Sequence, residues 1–281
     1  MTDFITLMKP RITLMVVLTA LFGFYLASPG PMDVALLANL LAGTALSCAG
    51  AGALNMAMEV RADGAMNRTR QRPIPSGRVP VGTAVSFGGI LATAGVARFA
   101  VKVNGLTAVL SCVTIVLYLF VYTPLKSRTS LCTVIGAIPG ALPPVMGWAA
   151  ARGSLDAGAW ALFGVLFFWQ LPHFLAIAWM YREDYARAGY PMLPVTDPEG
   201  GSTARQVVLQ TLALMVISLA PVGLNLAGGA YLAGASVLGV AFLAFGLAFA
   251  RVRSRERARR LFLASLAYLP GLLGLLAVTA A

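Results

Sequence analysis

Apolar residues in this chain gather into long unbroken runs, separated by short polar pieces. Nine runs stand out, at roughly 12–28, 35–58, 81–100, 103–123, 130–150, 158–181, 204–225, 228–250 and 261–280. About 20 apolar residues in a helix cross the hydrocarbon core of a bilayer, so each run predicts a membrane helix. The pattern therefore predicts an all-α polytopic membrane protein, with residues 1–281 forming a single transmembrane domain. Composition agrees: 59% of the 281 residues are hydrophobic and only 11% are charged, too few charges for the surface of a water-exposed fold. The first run follows Lys9 and Arg11 and is expected to be a retained helix, since no small-residue cleavage site leads into a soluble domain. Cys48, Cys112 and Cys132 all fall inside runs without CxxC spacing, so they are expected to be apolar fillers.

Charge sets the orientation. The polar pieces alternate between two sides, and of the 21 lysines and arginines all but Arg98, Lys102 and Arg152 lie on the side of the N-terminus. The positive-inside rule makes that side cytoplasmic and puts the C-terminus outside. The net charge of +11 is thus a signal of topology and of an anion site, and it does not point to nucleic acid. The acids follow the same side: Glu59 and Asp63 stand where the second run ends, Glu183 and Asp184 where the sixth ends. Two acid pairs four helices apart suggest a weak internal duplication.

The stretch "NMAMEVRADGAMNRTRQRP" (55–73) carries the first chemistry. Asn55, Glu59 and Asp63 are spaced i, i+4, i+8 and would stack along one helix face. An amide and two carboxylates offer only hard oxygen ligands, of the kind Mg²⁺ takes while keeping waters and substrate phosphates. Arg68, Arg70 and Arg72 follow at once, and their planar forks suit phosphate oxygens. Together these describe a diphosphate cradle; the plainer alternative is a solvated loop that sets topology.

A second cluster, "AWMYREDYARAGYPMLPV" (178–195), holds Glu183 and Asp184 about 100° apart on a helix, flanked by Tyr181 and Tyr185, with Gly189 and Pro191 ending the helix. In "YTPLKSRTS" (122–130), Lys126 and Arg128 could close on the same anion or enforce topology. His173, the one histidine, sits within a run beside Pro172, which is expected to kink the helix. An ionisable group there is a functional candidate. It could bind a metal, move a proton or hydrogen-bond a neighbouring helix.

These stretches, with "MKPRIT" (8–13), "IGAIPGALPPVMGW" (135–148), "WQLPHF" (169–174) and "REDYARAGYPMLPV" (182–195), resemble the UbiA-type intramembrane prenyltransferases over almost the whole chain. "WQLPHF", "GALPPVMGW" and "AGYPMLPV" resemble the haem-modifying branch of that superfamily. The resemblance implies nine helices around a central cavity that opens to lipid and is capped on the cytoplasmic side of a bacterial inner membrane. It implies that Mg²⁺ and farnesyl diphosphate lie between two acidic motifs. Asn55, Glu59 and Asp63 carry over as the first motif and as metal ligands. Glu183 and Asp184 fall in the second, which lacks the D-x-x-x-D spacing of quinone-pathway relatives, so which of the two binds metal stays open; Asp184 is taken as the candidate ligand.

The reaction that follows is attack of a farnesyl cation on a vinyl group of haem B, with addition of water giving haem O. Lys9, Arg11, Arg68, Arg72, Lys126 and Arg128 are the candidates for holding the departing diphosphate. Tyr122 and Trp169 are candidates for steadying positive charge with their ring faces, and His173, with Trp169 beside it, for contacting haem. A haem-A-forming enzyme or a terminal oxidase assembly is the expected downstream contact. The rival readings are prenyl transfer to a quinone precursor and, from another class, an anion transporter with charged gates.

Overall fold

Each of the nine apolar runs is helical in the structure, a computed structural model that describes residues 2–28 and 30–279; residue 280, at the end of the last expected run, lies outside them. Among the described residues, the helices long and apolar enough to span a membrane are, first to ninth, Pro10–Ala27, Val34–Met58, Val81–Lys102, Gly105–Leu125, Cys132–Arg152, Ala157–Met180, Gly201–Gly223, Gly229–Arg251 and Arg255–Thr279. Helices suit this setting because lipid offers no hydrogen bonds, and a helix satisfies its backbone internally. The second, fourth and sixth helices start alike, with Asp33, Asn104 and Asp156 accepting from the backbone N–H of Leu36, Thr107 and Gly158 at 2.9, 2.8 and 2.9 Å. Such side-chain caps satisfy donors that the first helical turn leaves open.

Consecutive helices pack on one another, and the two broadest of the other pairings fold the chain inward: the first helix lies on the fifth, and the sixth on the ninth. The fifth and sixth helices are consequently buried along most of their length. Large apolar side chains such as Ile12, Ile90, Val101, Phe120 and Val237 stay exposed on the outer helices, as a lipid-facing surface requires. Small residues let the inner helices approach. A Cβ on Gly147 would run into the carbonyl of Ala20 and sit 2.7 Å from the amide nitrogen of Phe24. A Cβ on Gly50 would lie 2.6 Å from the carbonyl of Gly88 on the third helix. Close backbone approach of this kind gains van der Waals contact where lipid supplies no hydrophobic drive between helices.

Proline shapes the interior. The fifth helix runs unbroken through Pro139, Pro143 and Pro144, and the sixth through Pro172. Gln170 on the sixth helix bridges the two, its amide donating to the carbonyls of Ala137 at 2.9 Å and Leu166 at 3.1 Å. In the fourth helix, residues Leu117–Tyr122 widen into a π-helical turn just ahead of Pro124, whose ring would clash with the carbonyl four residues back in an ordinary turn. At the end that carries the basic residues, the segments after the second and sixth helices fold over the bundle and pack together. Met66, Tyr190 and Met192 are buried there against Cys132 and Ala178.

A side chain at Gly147 should therefore force the first and fifth helices apart. Gly147→Val is expected to cost about 1–3 kcal/mol, the range for overpacking, and to lower the melting temperature in detergent. Gly89→Val, where no atom lies within 4 Å of the added Cβ, should leave it unchanged.

Candidate functional site

The second helix ends at Met58, and Glu59 sits at a junction (φ −97°, ψ 14°) before the short helix Val60–Ala65. The break is slight: Glu59 still donates to the carbonyl of Asn55 at 3.0 Å and Asp63 to that of Glu59 at 2.8 Å. Asn55, Glu59 and Asp63 therefore remain in one line, all buried. The sixth helix ends the same way, with Tyr181 (φ −117°, ψ 23°) at the junction to the short helix Arg182–Arg187. The two acidic segments are thus built on one plan, as their spacing suggested.

Each carboxylate already has a partner. Lys126 reaches from the end of the fourth helix to Glu59 Oε1 at 2.7 Å, and the Tyr190 hydroxyl donates to the same oxygen at 3.1 Å. Arg72 places one nitrogen on both oxygens of Asp63, at 2.9 and 2.7 Å. Asp184 pairs with Arg187 and accepts from the backbone N–H of Asn67 and Arg68 at 3.3 and 3.4 Å. That last contact ties the two acidic segments together across the end of the bundle. Asn55 serves as a bracket: its carbonyl oxygen accepts from Lys9 Nζ at 2.8 Å and its amide donates to Thr123 Oγ1 at 3.0 Å. Lys9 holds a left-handed backbone (φ 49°) immediately before Pro10, an uncommon state for a residue with a side chain.

Of the residues singled out in the sequence, Asn55, Glu59, Asp63, Lys9, Arg72 and Lys126 come together here with Asp184. Arg68 is exposed at the edge, its guanidinium 5.1 Å from the ring centre of Tyr181 and 6.0 Å from that of Tyr185. Tyr122 carries the Lys126 ammonium over its ring at 4.6 Å. Arg11, Arg128 and Glu183 are exposed outside the cluster, so of the adjacent acids it is Asp184 that faces inward. Tyr190, Thr123 and Arg187 were not singled out. Tyr190 lies in the quoted stretch "AGYPMLPV", but only the fold brings its hydroxyl to Glu59.

The electrostatics favour an anion. Lys9, Arg68, Arg72, Lys126 and Arg187 outnumber the carboxylates of Glu59, Asp63 and Asp184. Burial alone would raise the Glu59 pKa, but Lys126 and then Lys9 reverse this and hold it below its ordinary value. Burial works to lower Lys126, yet the Tyr122 hydroxyl and the Glu59 carboxylate outweigh it and keep its pKa well above the usual lysine value. Tyr190 is pushed up by burial and by Glu59, so it stays a hydroxyl donor. Lys9 goes the other way: burial first, then Arg72 and Lys126, bring it down to about 8.

His173 and Trp169 form a separate group, on the face where the sixth helix meets the ninth. Trp169 Nε1 donates to the Ser265 carbonyl at 2.8 Å, and His173 Nδ1 lies 2.7 Å from Ser265 Oγ. The Ser265 hydroxyl gives its proton to the Phe262 carbonyl at 2.6 Å. Nδ1 is therefore the donor in its bond to Ser265, which leaves the lone pair on Nε2. The imidazole is stacked on Trp169 at 5.1 Å and tilted against Phe262 at 4.9 Å.

A model of the UbiA prenyltransferase family matches residues 16–269. The chain belongs to that family. A curated protoheme IX farnesyltransferase from Solibacter usitatus is 45% identical over 98% of this chain and 98% of its own. One from Salinibacter ruber is 46% identical over the same shares. Among solved structures, a chain from work on digeranylgeranylglyceryl phosphate synthase in membranes superposes with a TM-score of 0.83 at 15% identity, covering 99% of this chain and 97% of that one. A UbiA homolog from Archaeoglobus fulgidus, bound to DMAPP and Mg²⁺, gives 0.69 at 15% identity over 98% and 99%. The chain is thus a multi-pass membrane protein of the prenyltransferase family, and the two solved structures share its fold.

The donor set of this prenyltransferase fits a divalent metal. Glu59, Asp63 and Asp184 supply hard oxygens at one end of the bundle, but each is paired with a cation, and among the described residues no three His, Cys, Asp or Glu side chains are grouped closely enough to hold a metal by themselves. Such a set suits Mg²⁺ only in company, since that ion commonly takes one or two carboxylates and fills the rest of its shell with water and substrate phosphate.

Lys9 offers a test with a definite sign. A lysine whose folded pKa lies below its unfolded value weakens the fold while charged; that penalty is present below about pH 8 and lifts as pH rises past it. An arriving anion reverses the balance and draws a proton back. Binding of inorganic diphosphate at pH 8.5 should therefore draw a proton onto Lys9, read by calorimetry in buffers of different ionisation enthalpy as the difference from a variant without Lys9, since the ligand's own proton release is common to both. Lys9→Met should take up less, and equal uptake would remove Lys9 from the anion site.

Proposed function

We propose that this chain transfers the farnesyl group of farnesyl diphosphate to a vinyl group of haem B, with hydration, to give haem O and diphosphate. The observation that carries this reading is the end-to-end likeness to curated protoheme IX farnesyltransferases, 45% identical over 98% of both chains; the paired acids and bases supply the chemistry. The basic face is cytoplasmic and the C-terminus outside, in a bacterial inner membrane, because the basic loops gather at that end.

Glu59, Asp63 and Asp184 would hold Mg²⁺, and a bound Mg²⁺ supplies charge neutralisation that makes diphosphate a better leaving group. Arg72 and Lys126 are now held on the carboxylates. As diphosphate binds, they turn to its oxygens, with Lys9 and Arg68 closing from the sides. The allylic C–O bond breaks with its electron pair going to diphosphate, and these cations meet the charge that develops on the leaving oxygen. The farnesyl carbon bonds to the terminal vinyl carbon of the haem, because the positive charge is then left on the carbon conjugated with the ring. Water adds at that carbon and loses a proton, so one water is consumed. Tyr122 presents its ring to the allylic cation once Lys126 leaves it. The dry surroundings of Glu59 and Asp63 delay quenching by water. His173, whose Nε2 carries the lone pair, would be the residue to ligate the iron of the haem substrate.

Purified protein given farnesyl diphosphate and haem B should yield haem O by mass spectrometry, and none of a prenylated product from 4-hydroxybenzoate. The reverse result would overturn the acceptor, and liposome flux without covalent product would overturn the reaction class. Asp63→Asn and Asp184→Asn should each lower kcat/KM by about 100-fold or more, the scale for losing a group that meets developing charge. Glu183→Gln, at an exposed position, should stay within about threefold of the parent. His173→Ala should shift the absorption bands of bound haem while farnesyl diphosphate affinity holds. A lost interhelical hydrogen bond alone would cost about 0.6–2 kcal/mol and leave the spectrum in place.

A further inference from the structure

The acidic cluster accounts for a diphosphate, but nothing described so far meets the carboxylates of the acceptor. An open cleft of about 680 Å³ lies where the sixth helix ends and the ninth begins, with Met180, Tyr181, Phe262 and Leu263 in its walls together with Arg255, Glu256 and Arg259. Its volume falls within the range of about 300–1,000 Å³ usual for small-molecule sites. Arg255 and Arg259 are one turn apart on the ninth helix and face the same cleft. Glu256, the acid in the wall, is held by Arg260. Among the described residues, no hydrogen bond or ion pair engages the guanidinium of Arg255 or Arg259. The cleft therefore presents two uncommitted cations at its mouth and an apolar wall below them.

Two contacts place this cleft with respect to the chemistry. Tyr181 is shared: one side forms the cleft wall, and the guanidinium of Arg68 lies 5.1 Å from its ring centre. Phe262 is shared as well, packing on His173 at 4.9 Å. Arg259 and Ser265, the partner of His173, are six residues apart on one helix, a rise of about 9 Å, comparable to half the span of a tetrapyrrole with its side arms.

We propose that this cleft is the acceptor subsite, in which Arg255 and Arg259 bind the two propionate carboxylates of haem and the wall formed by Met180, Phe262 and Leu263 receives the macrocycle. The assignment rests on haem being the acceptor. An apolar dicarboxylate matches the cleft in both respects: its acids lie on one edge, where the arginines are, and its ring is apolar. The arginine forks suit carboxylates, and held by that edge, the molecule directs its opposite, vinyl-bearing half into the bundle. Specificity follows from the same geometry, since an acceptor with one carboxylate or none would leave a guanidinium unanswered. Anionic lipid headgroups offer similar chemistry at this depth, and the two sources are separable.

The test compares haem B with its dimethyl ester, in which both carboxylates are masked. In the parent protein the ester should show a KM about five- to twentyfold higher than haem B, the scale of two partly exposed ion pairs. The KM for farnesyl diphosphate should not change. Arg255→Gln/Arg259→Gln should raise the KM for haem B by the same factor and leave the ester unaffected, so the double variant no longer tells the two acceptors apart. Full discrimination retained by the double variant would overturn the proposal, whatever its overall activity, and would point to lipid as the partner of these arginines. Equal KM values for haem B and ester in the parent would overturn it too. Failure of the parent to convert either acceptor would overturn the haem reading itself, a result distinct from both.

Discussion

Burying a carboxylate at the end of a membrane helix costs several kcal/mol unless a cation comes with it, and the Glu59–Lys126 and Asp63–Arg72 pairs meet that demand by drawing distant parts of the chain together. Lys126 comes from the end of the fourth helix and Lys9 from the start of the first, while Asn55 is locked between Lys9 and Thr123. Tyr190, from the segment after the sixth helix, completes the shell of Glu59. Neutralised in this way, the acids can stay in a dry place. The partners are also the groups a phosphate would attract, which is what the proposed diphosphate site draws on.

The helical frame makes that convergence possible. Glycines such as Gly147 and Gly50 let backbones touch, which puts the fifth and sixth helices in the middle and brings the ends of the second and sixth face to face. The π-helical turn ahead of Pro124 shifts the register of the fourth helix and delivers Thr123 and Lys126 to Asn55 and Glu59. The second group, His173 with Trp169 and Ser265, depends on the ninth helix lying against the sixth. The acidic cluster and the cleft proposed for the acceptor thus lie on neighbouring faces of one segment, and Tyr181 stands between them.

Much of this was legible in the chain. The nine spans were, because in lipid an apolar run of sufficient length has no stable form other than a helix. The line of Asn55, Glu59 and Asp63 was, because helical spacing survives the break at Glu59, and so was the shared plan of the two acidic segments. The one-sided basic residues marked the end at which the buried acids meet their cations. These are all local properties, carried by spacing, length and charge.

Other features are decided only by the fold. Glu183 and Asp184 are neighbours with the same chemistry, and spacing could not say which turns inward; the short helix Arg182–Arg187 packs so that Asp184 is buried under the backbone of Asn67 and Arg68. Arg11 and Arg128 match Lys9 and Lys126 in charge and near position, yet they point outward. The tautomer of His173 depends on a serine 92 residues away. Sequence determined which elements form and where their charges cluster, because those follow from interactions within a few residues. Which side chains meet was left to the tertiary structure, because long-range pairing is set by how the helices pack and by the cost of any buried charge left without a partner.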